Sequence, residues 1–177
     1  ETYLKRNEQA FHEQLQVQYG NVFILPEGGS NARAVKGCTE ILNSECSGYD
    51  DIICPVGTGA TLAGIILSAQ PHQKVTGIAI LEGEDYVRGL VASFVNEHSP
   101  AVQWEIDSGH TLGGYAKSDD QLKIFNEEMF TQCQLPLDHI YSGKTLFAIH
   151  KMAVNGVFLN RKVLFIHTGG YAFTTGK

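Results

Sequence analysis

The sequence predicts an α/β protein built as an open parallel sheet with helices on both faces. Three observations predict it. Short, continuously apolar runs ("DIICPV", "KVTGIAIL", "KVLFIH") alternate with helix-like segments, as strands covered on both faces do. Glycine pairs at 28–29, 57/59 and 169–170 follow such runs directly, at the strand ends where ligands bind in sheets of this kind. The 177 residues, 43% hydrophobic and 18% charged, suffice for one domain with a core of its own.

Taken in order, "TYLKRNEQAFHEQLQVQ" reads as an exposed amphipathic helix and "NVFIL" as a short buried strand. "PEGGSN" is a turn whose Ser30 or Asn31 can cap a helix over 32–45. "DIICPV" is a strand, 59–69 a helix, "KVTGIAIL" a strand and "YVRGLVASFVNEH" a helix. "VQWEI" is a further strand, followed by the loop "DSGHTLGGYAK" and the helix "DDQLKIFNEEMFTQC". "HIYSGKTLFAIHKMAVNG" begins as loop and continues as helix, "KVLFIH" is the last strand, and "TGGYAFTTGK" closes the chain. There is no internal repeat or linker. A doubly wound domain rarely opens on a lone exposed helix, so the chain reads as the later part of something larger.

A net charge of −6 without a basic stripe argues against a nucleic-acid surface. No apolar run approaches a membrane span, and the first residues lack the apolar core of a signal peptide. Cys38, Cys46, Cys54 and Cys133 contain no CxxC pair, so no zinc or other metal site is expected, and they read as reduced thiols of a cytoplasmic protein. His110, His139 and His150 carry no ligand pattern, and Lys144 reads as a helix-start cation.

"CPVGTGATLAG", Cys54 to Gly64, is the segment with most chemical content. Strand, glycine loop and helix together make an anion site, because backbone N–H groups and the positive helix end face the ligand. The nucleotide P-loop needs a lysine that is missing here, and the dinucleotide fingerprint needs a third glycine where Leu62 stands. What remains is a small terminal phosphate wrapped by Gly57, Thr58, Gly59, Ala60 and Thr61. A tight strand–helix turn with no ligand is the plainer alternative.

"LPEGGSNARAVKGCTEI", "ICPVGTGATLAG", "IYSGK" and "VLFIHTGG" occur in the order found in the pyridoxal-phosphate (PLP) enzymes that include 1-aminocyclopropane-1-carboxylate deaminase and D-cysteine desulfhydrase. The chain resembles the second half of that family from "ETYLKRNE" to "HTGG". The resemblance implies a type II PLP fold and a cofactor phosphate cupped by 57–61. Residues 1–177 would then be the C-terminal portion of the PLP-binding large domain, with most of the small domain absent. It also implies active-site tyrosines at Tyr115 of "GGYAK" and Tyr141 of "IYSGK", a Thr168 hydroxyl on the pyridine nitrogen, a small amino-acid substrate and a homodimer.

In the deaminase branch an acid follows the second tyrosine and faces the pyridine nitrogen; here that position is Ser142. A carboxylate would keep the ring protonated and deepen the electron sink, which opening a cyclopropane needs more than β-elimination does. Ser142 with Thr168 therefore favours a desulfhydrase-like elimination giving ammonia and a 2-keto acid. Ring opening, or a non-catalytic phosphate- or PLP-binding remnant, are the alternatives, and a capping role for Ser142 is equally compatible. The family's cofactor-bearing lysine lies in an early "GNK-x-RK" motif followed by "SNH", and neither occurs here. The chain alone is expected to lack PLP-dependent turnover.

Overall fold

The computed structural model describes residues 2–6, 8–98 and 100–170. Its centre is β1 (Asp51–Val56), whose six residues are all buried. β2 (Lys74–Ala79) pairs with it in parallel, Cys54 opposite Gly77, and β3 (Gln103–Asp107) pairs in parallel with β2, Gly77 opposite Ile106. β4 (Val163–Phe165) lies on the other side of β1, Phe165 opposite Ile53, so the order is β3-β2-β1-β4.

Alternate residues of β1 point to opposite faces. Ile52, Cys54 and Val56 join one apolar cluster with Val35 of α2 (Ala32–Cys38), Leu62 and Ile66 of α3 (Ala60–Ser68), and Val87, Val91 and Val95 of α4 (Glu84–Val95). The three valines recur every fourth residue, the apolar stripe that makes α4 amphipathic. All three are fully buried, each contributing about 1.5–3 kcal/mol relative to exposure. On the opposite face Ile53 and Ile78 meet Ala148, with Ile149 and Met152, from α6 (Ser142–Val154). α5 (Asp120–Cys133) packs on α6 through Phe125 and Phe147, whose rings are 5.3 Å apart. The expected parallel sheet with helices on both faces is therefore the observed one.

At the amino end of the sheet Arg161 Nε donates to the buried Asp51 carboxylate at 2.5 Å, and Asp50 accepts from the Lys162 amide at 2.7 Å. These bonds fix where β4 enters beside β1. β1, β2 and β3 step outward in one direction and β4 returns to the other side, so the connectivity reverses between β1 and β4. Their carboxyl ends flank the crevice where such sheets bind ligands.

Two expected elements differ. Residues 21–25 form no strand. Val22, Phe23 and Leu25 are exposed, and no described strand lies alongside to complete a ladder, without which an apolar run is not a strand. Phe23 instead lies under the Arg33 guanidinium, 5.9 Å from the ring centre. The helix expected over 32–45 stops at Cys38. Thr39 turns its hydroxyl back onto the Lys36 carbonyl, and Asn43 caps a separate 3-10 turn at Ser44–Gly48 by accepting from the Glu45 amide. The exposed first helix is α1 (Gln9–Tyr19), with no buried residue. Of the closing "TGGYAFTTGK", everything after Gly170 lies outside the described residues.

Among the described residues no helix is long and apolar enough to cross a membrane, and no cluster of side chains could hold a metal ion. The four cysteines are free.

Candidate active site

The chain leaves β1 buried and must reverse into α3 within three residues, Gly57, Thr58 and Gly59. Gly59 makes this possible: as the residue before the helix it has φ +93°, and a Cβ there would lie 3.3 Å from the Val91 amide nitrogen. No side chain caps α3. Among the described residues the amides of Gly57, Thr58, Gly59, Ala60 and Thr61 donate to no other group. Five unspent donors at a helix start, where the dipole adds positive potential, suit a phosphate. On one side the loop is braced by the "GGS" turn, where Ser30 Oγ donates to Thr58 Oγ1 at 2.5 Å.

The loop opens into a cavity of about 660 Å³. Gly57, Thr58, Gly59, Thr61, Tyr115, Tyr141 and Thr168 line it, as do Glu27 and Ser30; Ala60 is buried behind the loop. Seven of the eight residues singled out from the sequence thus share one cavity wall. They come from the ends of β1 and β4, the loop after β3 and the start of α6. Among the described residues no lysine lines the cavity.

Tyr115 and Tyr141 meet edge to face, with ring centres 6.3 Å apart and planes at 75°. Burial, together with the neighbouring Tyr115 phenol, pushes the Tyr141 hydroxyl up to about 12. It is therefore a protonated phenol throughout the neutral range, able to donate a hydrogen bond.

The turn that presents Tyr141 is built on Asp138, which is 2% exposed. One carboxylate oxygen accepts from the Ile140 amide at 2.7 Å and the Tyr141 amide at 2.6 Å. The other accepts from the Ser142 amide at 2.9 Å and the Ser142 hydroxyl at 2.5 Å. Burial pushes the Asp138 carboxyl up, but the hydroxyl and the three amides outweigh it and hold it below the usual carboxylate range. Asp138 thus caps α6 from outside, satisfying first-turn donors that the helix cannot.

This corrects the part expected of Ser142. Its hydroxyl donates to Asp138 Oδ2 and accepts from the Asp138 amide at 3.0 Å, and Ser142 is fully buried outside the cavity lining. It does not line the cavity, and as the first residue of α6 it is not the residue that caps the helix. Asp138 also abuts the strand end that carries Thr168: Gly170, at φ +105°, passes so close that a Cβ would lie 2.6 Å from Asp138 Oδ2.

Sequence reasoning missed Glu27 and Ser30 as lining residues, Asp138 as the organiser of the Tyr141 turn, and the full burial of Lys144. A signal existed for the first two, since they flank the glycine pair at 28–29. None existed for the others, because burial of a charge depends on distant segments. The loop at Asp107–Lys117 is tied at its start by Asp107, which accepts from the Gly109 amide at 2.8 Å and contacts His110 Nδ1 at 3.0 Å. His110, and then the Gly109 amide, hold the Asp107 carboxyl below its usual range despite burial.

No protein-family model matches the chain. It is 30% identical over 178 aligned residues to a Thermotoga maritima protein named "Putative 1-aminocyclopropane-1-carboxylate deaminase", covering 90% of this chain and 55% of that protein. It is 28% identical to the "Bifunctional D-cysteine desulfhydrase/1-aminocyclopropane-1-carboxylate deaminase, mitochondrial" of Arabidopsis thaliana, covering 91% of this chain and 44% of the relative. Among solved structures it matches an "ACC deaminase homologue" with a TM-score of 0.78 at 22% identity, over 94% of this chain and 55% of that one, a likeness of fold. The chain spans about half the length of the curated relatives it matches.

Proposed function

We propose that this chain, a relative of the 1-aminocyclopropane-1-carboxylate deaminase and D-cysteine desulfhydrase family, supplies the phosphate cup and tyrosine pair of a PLP-dependent lyase. The observation that carries the reading is the convergence on one cavity of a glycine loop with five unspent amides, two tyrosines and Thr168. PLP, when bound, draws electrons from the substrate α-carbon. The chain's own contribution is positional and electrostatic. Amides 57–61 hold the phosphate. Thr168 offers a neutral hydroxyl to the pyridine nitrogen. Tyr141, kept protonated, donates from Oη to the substrate amine or to a departing group.

The reaction class we infer is β-elimination from a small amino acid such as D-cysteine. One water is consumed, and the leaving group, ammonia and a 2-keto acid are released. With Ser142 turned onto Asp138, the argument against ring opening rests on Thr168: the residue offered from the end of β4 is a hydroxyl, which does not keep the ring protonated as a carboxylate would. The 177 residues alone are expected to bind PLP without a covalent bond and to turn nothing over; a homodimer completed by a lysine-bearing segment would be the active species.

The test has two arms. Titrating the chain with PLP, with inorganic phosphate as competitor, should show weak saturable binding. Borohydride reduction followed by mass spectrometry should label no single lysine. Stoichiometric labelling of one lysine with keto-acid formation would overturn the assignment. With a lysine-bearing N-terminal half of a relative added in trans, D-cysteine should be consumed in preference to 1-aminocyclopropane-1-carboxylate. The reverse preference would overturn the reaction class.

A further inference from the structure

Lys144 is fully buried, the largest of the described side chains almost wholly removed from solvent. Lysine is almost never buried to that degree unless it is paired. Yet among the described residues no carboxylate forms an ion pair with it. Its ammonium instead donates to two backbone carbonyls, Thr111 O at 2.7 Å and Gly114 O at 2.6 Å. Both belong to the loop between β3 and α5.

Those carbonyls are not arbitrary. Thr111 O also accepts from the Gly114 amide at 3.1 Å, and Gly114 O from the Lys117 amide at 3.2 Å. They close two consecutive turns, 111–114 and 114–117, and Tyr115 lies just inside the second. The loop needs holding, because Leu112 (φ +53°) and Ala116 (φ +56°) occupy the left-handed region that side chains disfavour. Tyr141 stands three residues before Lys144, at the start of the same helix. A single buried ammonium therefore ties the loop carrying one tyrosine to the helix carrying the other.

We propose that Lys144 is a positioning residue that sets the geometry of the tyrosine pair, clamping the 111–117 loop to α6 so that Tyr115 stands edge-on to Tyr141 across the cavity. The proposal rests on reading that cavity as the active site, but the clamp can be tested without any cofactor. An apolar side chain would fill the same space at no desolvation cost; what it could not do is fix the two carbonyls. Burial pushes the lysine pKa down, and the short bonds to both carbonyls favour the charged form.

The experiment is fluorine NMR on protein carrying meta-fluorotyrosine at position 115, combined with amide hydrogen exchange, in the wild type and in Lys144→Met and Lys144→Gln variants. In the wild type the Tyr115 resonance should be shifted by the Tyr141 ring, and a Tyr141→Leu control should abolish that shift. Lys144→Met should move the resonance to the position of an exposed fluorotyrosine. Exchange at residues 113–117 should accelerate by about tenfold or more, while β1 and β2 stay protected. Lys144→Gln, which keeps an N–H donor, should recover part of the shift. A purely structural lysine would lower global stability in urea and leave the Tyr115 resonance where it was. That result would overturn the proposal.

Should both variants fail to fold, the wild type decides. Through-hydrogen-bond couplings from Lys144 Nζ to the Thr111 and Gly114 carbonyl carbons, with slow ammonium exchange, are the expected result, and their absence refutes the clamp. If the clamp is found but PLP does not bind, only the functional reading of the cavity fails.

Discussion

Replacing Asp138 removes the acceptor for three backbone amides and one hydroxyl at the turn that presents Tyr141. Each buried donor left without a partner costs about 1–3 kcal/mol. The Ser142 amide is fully enclosed and Ile140 is 8% exposed, whereas Tyr141, 36% exposed, can recruit water. Relief from burying an ionised carboxylate works in the opposite direction. Asp138→Ala should therefore lose about 3 kcal/mol of unfolding free energy at neutral pH, near the low end of the sum. Asp138→Asn keeps one carbonyl oxygen for the Ile140 and Tyr141 amides but turns an NH2 toward the Ser142 amide, two donors face to face. About 1–2 kcal/mol is expected.

The carboxyl is held below its ordinary value in the fold, so its ionised form stabilises the native state above an unfolded pKa of about 3.9. That contribution is lost as pH falls through the lower folded value. Urea unfolding across the acid range should show the gap between wild type and Asp138→Ala shrinking below about pH 4. A variant within about 0.5 kcal/mol of wild type at neutral pH, or a gap that does not shrink in acid, would refute the claim that these bonds organise the turn.

Gly59→Ala should destabilise the fold by about 1–3 kcal/mol, because φ +93° is a conformation alanine disfavours. Inorganic phosphate is expected to raise the melting temperature of the wild type, and Gly59→Ala should abolish that rise; retained phosphate stabilisation would place the anion elsewhere. Tyr115→Phe should lower the Tyr141 pKa from about 12 while leaving it above the free-phenol value, since burial remains. Tyrosinate absorbance on alkaline titration reads this directly, and an unchanged value would mean that Tyr115 does not act on Tyr141.

Much of this molecule was legible in its residue order. "DIICPV" reads as a strand buried on both faces because nothing in it is charged except the leading aspartate, and all six residues are buried. The helices after it were legible from apolar residues at helical spacing, as with Val87, Val91 and Val95. The glycine loop after β1 was legible because a strand-to-helix reversal in three residues demands a residue tolerant of positive φ, which Gly59 supplies. Where the reading failed, local pattern was outweighed by partners. "NVFIL" has strand composition but no strand beside it among the described residues. The run after Cys38 continues to suit a helix, yet Thr39 and Asn43 offer the backbone competing bonds.

The sequence by itself therefore determined the parallel α/β layering and the position of the phosphate-type loop, because each follows from periodicity or from a conformational demand within a few neighbours; Tyr115, Tyr141 and Thr168 were legible only through the family motifs that carry them. Only the tertiary structure decided how charges are spent. Ser142 turns onto Asp138 four residues earlier, which neither reading of a serine there anticipated. Arg161 reaches Asp51 across 110 residues, and Lys144 reaches Gly114 across 30. The energy of a buried ion depends on every group that surrounds it after folding, and those surroundings come from segments that no local window contains.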